Sequence, residues 1–142
     1  MEERKLTENE QKKLFLRSYL RDKKAVIRIE EQLAELRANK IFPSVINDGM
    51  PHGTVSNDLS DYAAKIDELE RELMRKREKK IDSFRKVQTA IEAVENETEK
   101  DLLTYRYLKG MKWEEIAVEM GYSWRKIHYL HGDALEHFKI CA

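Results

Sequence analysis

Cysteine is nearly absent from this chain: Cys141 is the single one among 142 residues. No disulfide framework can form within one molecule, and a reducing compartment is the natural setting. Proline is equally scarce, with two, and glycine with five. Aromatic residues make up 8% of the sequence while charged residues make up 38%. Turn-dense sheet folds need more of the former, so long solvated helices are expected and the fold class is all-α. No apolar run approaches the roughly 20 residues that span a bilayer, and no signal-peptide core opens the sequence, so no membrane association is expected. Neither sign of charge dominates, with 27 Lys+Arg against 27 Asp+Glu. There is no glycine-rich phosphate loop, no nucleophile motif and no carboxylate pair that stands apart from the many surface acids. The expectation is a protein that is not an enzyme and carries no cofactor. His128, His131, His137 and Cys141 are the one group that resembles a metal set. His128 and His131 share a helix face, but no Cys-x-x-Cys accompanies them and the other face of that helix is needed for packing. No metal is therefore expected.

What is present begins with two long helical patterns, over about 7–39 and 57–95. Thr7 and Glu10 have the spacing of a capping box. Heptad positions then carry Tyr19, Val26 and Leu33 on one track and Phe15, Ile29 and Leu36 on the other, with Asp22 interrupting. The second pattern places Leu59, Tyr62, Ile66, Leu69 and Leu73 on one stripe, and Phe84, Val87, Ile91 and Val94 on its continuation. The step from Leu73 to Phe84 inserts four residues into the heptad, a stutter that unwinds a supercoil locally. Acid-first pairs at i, i+4 (Asp61–Lys65, Asp67–Arg71, Glu72–Lys76, Asp82–Lys86) support this helix by about 0.2–0.5 kcal/mol each. The two helices should pack as an antiparallel hairpin or as an oligomeric coiled coil. Residues 40–56 between them hold Pro43, Asn47-Asp48-Gly49 and Pro51-His52-Gly53, which break helices. This segment reads either as a connector or, from Ile41, Phe42, Val45, Ile46 and Met50, as a partner contact. The basic run Arg75 to Lys80 reads as a solvated helix face before it reads as a track for a nucleic-acid backbone.

A boundary is expected near Asn96–Thr98, giving a hairpin over 1–95 and a second unit over 96–142. A helix from Glu99 to Leu108 follows, and Trp113 reads as a packing plug between helices. Glu114 to Met120 has Ile116, Ala117 and Met120 on one face. Gly121 can close that helix in the left-handed conformation, and Ser123 can cap the next one. Ile127, Leu130, Ala134 and Leu135 face inward by spacing. Trp124, Arg125, Lys126, His128, Tyr129 and His131 are left for solvent or ligand. A short helix, a glycine turn and a second helix with a free polar and aromatic face is the helix-turn-helix that reads the DNA major groove.

The succession "YLKG", "WEEIA", "MGYS", "IHYL" and "AL" over residues 91–138 resembles region 4 of the sigma-70 family. There the second helix of such a pair reads a promoter box. Trp113, Tyr122-Ser123 and, more loosely, the loop at 41–58 are similar to phage late-gene transcription regulators of the ArpU/RinA type. The resemblance implies a regulator of transcription, most naturally an activator of late genes, in the cytoplasm of a bacterial host. Its partners would be double-stranded DNA, host RNA polymerase and a second copy of the chain. By the same resemblance Trp124, Arg125, His128 and Tyr129 face bases, with Arg125 making the bidentate contact to guanine. Lys112 and Lys126 contact phosphate, and Ser123 both caps and reaches a phosphate. If His128 faces DNA, binding should strengthen from pH 8 toward 6. Residues 101–142 carry six Lys/Arg and six Asp/Glu, so an isolated monomer should bind weakly. A small-terminase-like DNA-packaging subunit and a helical protein-interaction module are the alternatives.

Overall fold

The computed structural model describes residues 6–41 and 55–140. The architecture is all-helical, with no strand among the described residues. Helix α1 (Glu8–Ile41) and helix α2 (Val55–Glu92) pack against each other, and α3 (Glu97–Leu103), α4 (Trp113–Met120) and α5 (Trp124–His137) follow. No described helix is long and apolar enough to cross a membrane.

The start of α1 closes as its sequence requires. Glu10 N–H donates to Thr7 Oγ1 at 3.2 Å, and Thr7 N–H to Glu10 Oε2 at 2.8 Å. These bonds satisfy donors that a helix N-terminus otherwise leaves free. Cross-helix contacts then fix an antiparallel register: Arg37 with Glu70, Arg77 with Glu30 at 3.4 Å, and Tyr19 ring-to-ring with Phe84 at 5.0 Å. Of the expected pairs along α2, Asp67–Arg71 and Asp82–Lys86 close at 3.0 Å.

This register corrects one sequence expectation. Pairing residue 37 with 70 brings the end of α1, at Ile41, opposite the neighbourhood of Ile66. Leu59 lies beyond it and is 57% exposed rather than part of the hairpin core. Residues 42–54 fall outside the described residues, and with them the expectations for most of the loop.

Two apolar clusters hold the hairpin. The distal one contains Val26, Ile29, Leu33, Leu69 and Leu73. The basal one joins Leu16, Val87, Ala90, Ile91 and Val94 to Leu103, Tyr107, Ala134, Leu135 and Phe138. Between them, at the stutter, the inward positions are polar: Asp22 and Ser83 are buried. Lys79 Nζ stands 4.0 Å from the Asp22 carboxylate and Arg21 Nε 3.7 Å from it. A buried carboxylate is tolerable because it is paired, and two members of the basic run, Arg77 and Lys79, are engaged in cross-helix ion pairs at the exposed edge of the hairpin.

The basal cluster draws on both sides of the boundary near residue 96. There Asn96 caps α3, its Oδ1 accepting from Glu99 N–H at 3.1 Å, so this helix starts two residues before the expected Glu99. Its continuation, Thr104–Leu108, is a π-helical turn that the sequence had not suggested. A further link ties α5 to α1. Lys12, 6% exposed, donates from Nζ to Leu135 O at 2.7 Å. A cation at the last carbonyls of α5 meets the negative end of that helix.

Candidate nucleic-acid interface

The turn between α4 and α5 is closed by backbone chemistry. Gly121 lies at φ 70° and ψ 30°. Its N–H reaches Val118 O at 3.2 Å, and Tyr122 N–H reaches Ala117 O at 3.0 Å. This pair of bonds is a Schellman ending, and the left-handed residue in it is cheapest as glycine. Ser123 Oγ then accepts from Lys126 N–H at 3.1 Å and starts α5. Buried Leu102, Ile116 and Ile127 lock α3, α4 and α5 together, with Trp113, Met120 and Leu130 packed around them.

With α5 anchored on that side, its opposite face projects. Trp124 is 59% exposed and Tyr129 67%. Arg125, Lys126, Ser123 and Lys112 are also exposed. Lys126 Nζ lies 4.0 Å over the Tyr122 ring, which holds its charge near the helix start. Lys112 precedes the first residue of α4, where its backbone N–H meets the Glu115 carboxylate at 3.4 Å. Six of the seven candidate residues are therefore exposed, five of them on the N-terminal turns of α5 and Lys112 at the start of α4.

His128, the seventh, is half-buried. Its imidazole lies between two indoles, with centroids 4.0 Å from Trp124 and 5.0 Å from Trp113. Its Nε2 is buried without a hydrogen-bond partner. The ring packs against Trp124 with Nε2 turned inward, so that this nitrogen is not offered to a base. Trp113 packs as expected for a plug, against His128, against His131 at 4.7 Å and beneath the Arg106 guanidinium at 4.4 Å.

His131, expected on the free face, is buried. Tyr107 Oη lies 2.7 Å from its Nε2. Burial, helped by Lys13, Arg106, His128 and Arg17, pushes its pKa down to about 4, so it adds no positive charge near neutral pH. Burial also raises the Tyr107 hydroxyl above its ordinary value. Residues 127, 131, 134 and 138 form an i, i+4, i+7, i+11 stripe that turns inward because α1 covers α5 from a second side. His137 turns elsewhere, its Nδ1 2.9 Å and 3.0 Å from the buried Glu99 carboxylate. His128 and His131 thus meet on the Trp113 ring while His137 is engaged elsewhere, and no metal-type cluster exists among the described residues.

Charge is where the sequence reading was coarsest. Counting the chain, or residues 101–142, gives zero. Over residues 11–29 of α1 there are seven Lys/Arg (Lys12, Lys13, Arg17, Arg21, Lys23, Lys24, Arg28) and one acid, Asp22. That acid is buried toward α2. A sliding local charge count would have found this segment. Compared with known families, curated proteins and solved structures, the chain matches no family model, no curated protein and no solved structure.

Proposed function

We propose that this chain is a double-stranded-DNA-binding regulator of transcription, with α5 as the helix that enters the major groove. One observation carries the reading. The first two turns of α5 stand clear of the chain's own hairpin, on a glycine-closed turn, and expose Trp124, Arg125, Lys126 and Tyr129. An indole and a phenol bared on a rigid, well-capped helix are poor choices for a merely solvated face. Arg125 has the forked donors that match guanine O6 and N7. Lys126 and Lys112 flank it as phosphate contacts, and Trp124 and Tyr129 supply apolar contact to thymine methyls or sugars. The sigma-region-4-like layout makes host RNA polymerase the further partner, and the expected role is activation of phage-type late genes.

Selection of binders from a randomised duplex pool, followed by fluorescence anisotropy on the full chain, tests this. A preferred sequence should emerge, and Arg125→Ala should weaken binding to it by about 5- to 150-fold, the equivalent of ~1–3 kcal/mol for one bidentate base contact. Discrimination at one base pair should relax with it. Equal affinity and equal preference in the variant would remove α5 from the reading role.

A further inference from the structure

A groove of about 610 Å³ separates α1 from the π-helical turn. One wall carries Arg17, Arg21, Lys23 and Lys24, the other Arg106 and Lys109, and no acid lines it. Arg17, Arg21 and Lys24 recur at i, i+4 and i+7, one face of α1. Among the described residues the one ion pair made by these six cations is that of Arg21 with Asp22 at 3.7 Å. Lys109 rests over the Tyr105 ring at 5.0 Å. Six cations with a single paired carboxylate among them repel one another in the free protein. An anion along the groove relieves that repulsion.

One wall is shaped by a π-helical turn followed by a left-handed glycine. The π-helical turn closes with Lys109 N–H on Thr104 O and Met111 N–H on Tyr105 O, both at 3.0 Å. Such insertions are rare and concentrate at functional positions. Within this one Arg106 donates to Met111 O at 3.0 Å while its guanidinium lies over Trp113. Gly110 follows at φ +69°, with Leu20 side-chain carbons 3.5 and 3.6 Å from where a Cβ would stand. A run of ring contacts links the groove's Arg106 to Trp124 on α5. Arg106 to Trp113, Trp113 to His128 and His128 to Trp124 are steps of 4.4, 5.0 and 4.0 Å.

We infer that this groove seats the phosphate backbone of the same duplex that α5 reads, extending the contact from the base-reading helix onto the hairpin. The inference rests on the DNA-binding reading above. It also explains how a chain of zero net charge would hold a polyanion: the cations are gathered on one side, while Glu30, Glu31 and Glu35 lie further along α1.

The test is a salt series of duplex binding by the full chain and by a triple variant, Arg17→Gln, Lys24→Gln and Lys109→Gln. This variant spares Arg21, which pairs with Asp22, and Arg106, which supports Trp113. The slope of log affinity against log salt should flatten by about 2–3, near 0.9 for each phosphate contact removed. Affinity at low salt should fall at least ~10-fold, with base preference unchanged; a thermal midpoint that is not lowered, and that rises as the mutual repulsion is relieved, is the check on folding. Hydroxyl-radical footprints should shorten on one side. An unchanged slope and footprint in the triple variant overturns the groove assignment and leaves α5 intact as reader. If Arg125→Ala is silent while the triple variant weakens binding, the groove stands and the reading helix is wrong. Wild-type chain that binds no duplex at any salt, or binds only vesicles containing anionic lipid, overturns both.

Discussion

At the distal end α1 and α2 hold each other by Val26, Ile29, Leu33, Leu69 and Leu73, with exposed ion pairs at the rim. At the basal end the same helices grip three further elements, and the polar groups there are buried and partnered: Lys12 on Leu135 O, Glu99 on His137, Tyr107 on His131. The distal end is an additive two-helix contact. The basal end is a shared core in which each element needs the others. The helix proposed to read DNA sits on the cooperative end, where its angle is set by α1, α3 and α4 together. Placing a probe there gives rigidity, and costs tolerance to mutation.

The largest expected effect sharpens that contrast. Phe138 is fully buried and lies 6.0 Å from the Phe15 ring. Phe138→Ala should lower unfolding free energy by about 3–5 kcal/mol and abolish duplex binding. Leu33→Ala, in the distal cluster, should cost about 2–3 kcal/mol and leave binding unchanged. Urea titration and anisotropy on the same samples decide it, and equal loss of binding in both variants would dissolve the distinction between the ends.

Next comes acid sensitivity, assigned to the basal end by His131. Its folded-state pKa, about 4, is below the ordinary 6.5. Above pH 6.5 both folded and unfolded chains hold neutral imidazole and the contribution is full. Between pH 6.5 and about 4 only the unfolded chain takes the proton, so stability falls on acidification. About 2 kcal/mol should be lost between pH 7.5 and 5. Urea midpoints at the two pH values measure it. In His131→Gln that loss should vanish, whatever the variant's absolute stability. A wild-type protein equally stable at both pH values would refute the burial argument.

The smallest effects compare single cations. Lys12→Met removes a buried hydrogen bond to α5 and should cost about 1–3 kcal/mol. Arg37→Met removes a half-exposed distal pair with Glu70 and should cost about 0–1 kcal/mol. Thermal unfolding of the two variants side by side gives the ranking, and the reverse order would mean that the rim pairs hold the hairpin after all.

Much of this architecture was legible locally. The Thr7–Glu10 box, the heptads with their Asp22 interruption, the Gly121 ending and the Ser123 cap each depend on residues within one or two turns. Three features were not legible in the same way. His128 and His131 read as polar residues on an open face, because spacing alone does not reveal that α5 is covered on two sides. The π-helical turn at Thr104–Leu108 has no compositional mark. Leu59 matched its stripe, yet a stripe is buried only where a partner helix reaches.

The chain alone therefore determined the helices, their caps and the exposed first turns of α5, since these follow from short-range hydrogen bonding and periodicity. Tertiary structure decided the antiparallel register, the burial of His131, the packing of His128 against Trp124 and the gathering of α1 cations opposite Arg106 and Lys109. Most of those outcomes depend on which distant surfaces meet, and the Trp124–His128 contact is set by Trp113 reaching it from another helix. Sequence separation hides such meetings from any local reading, and burial and charge act through them.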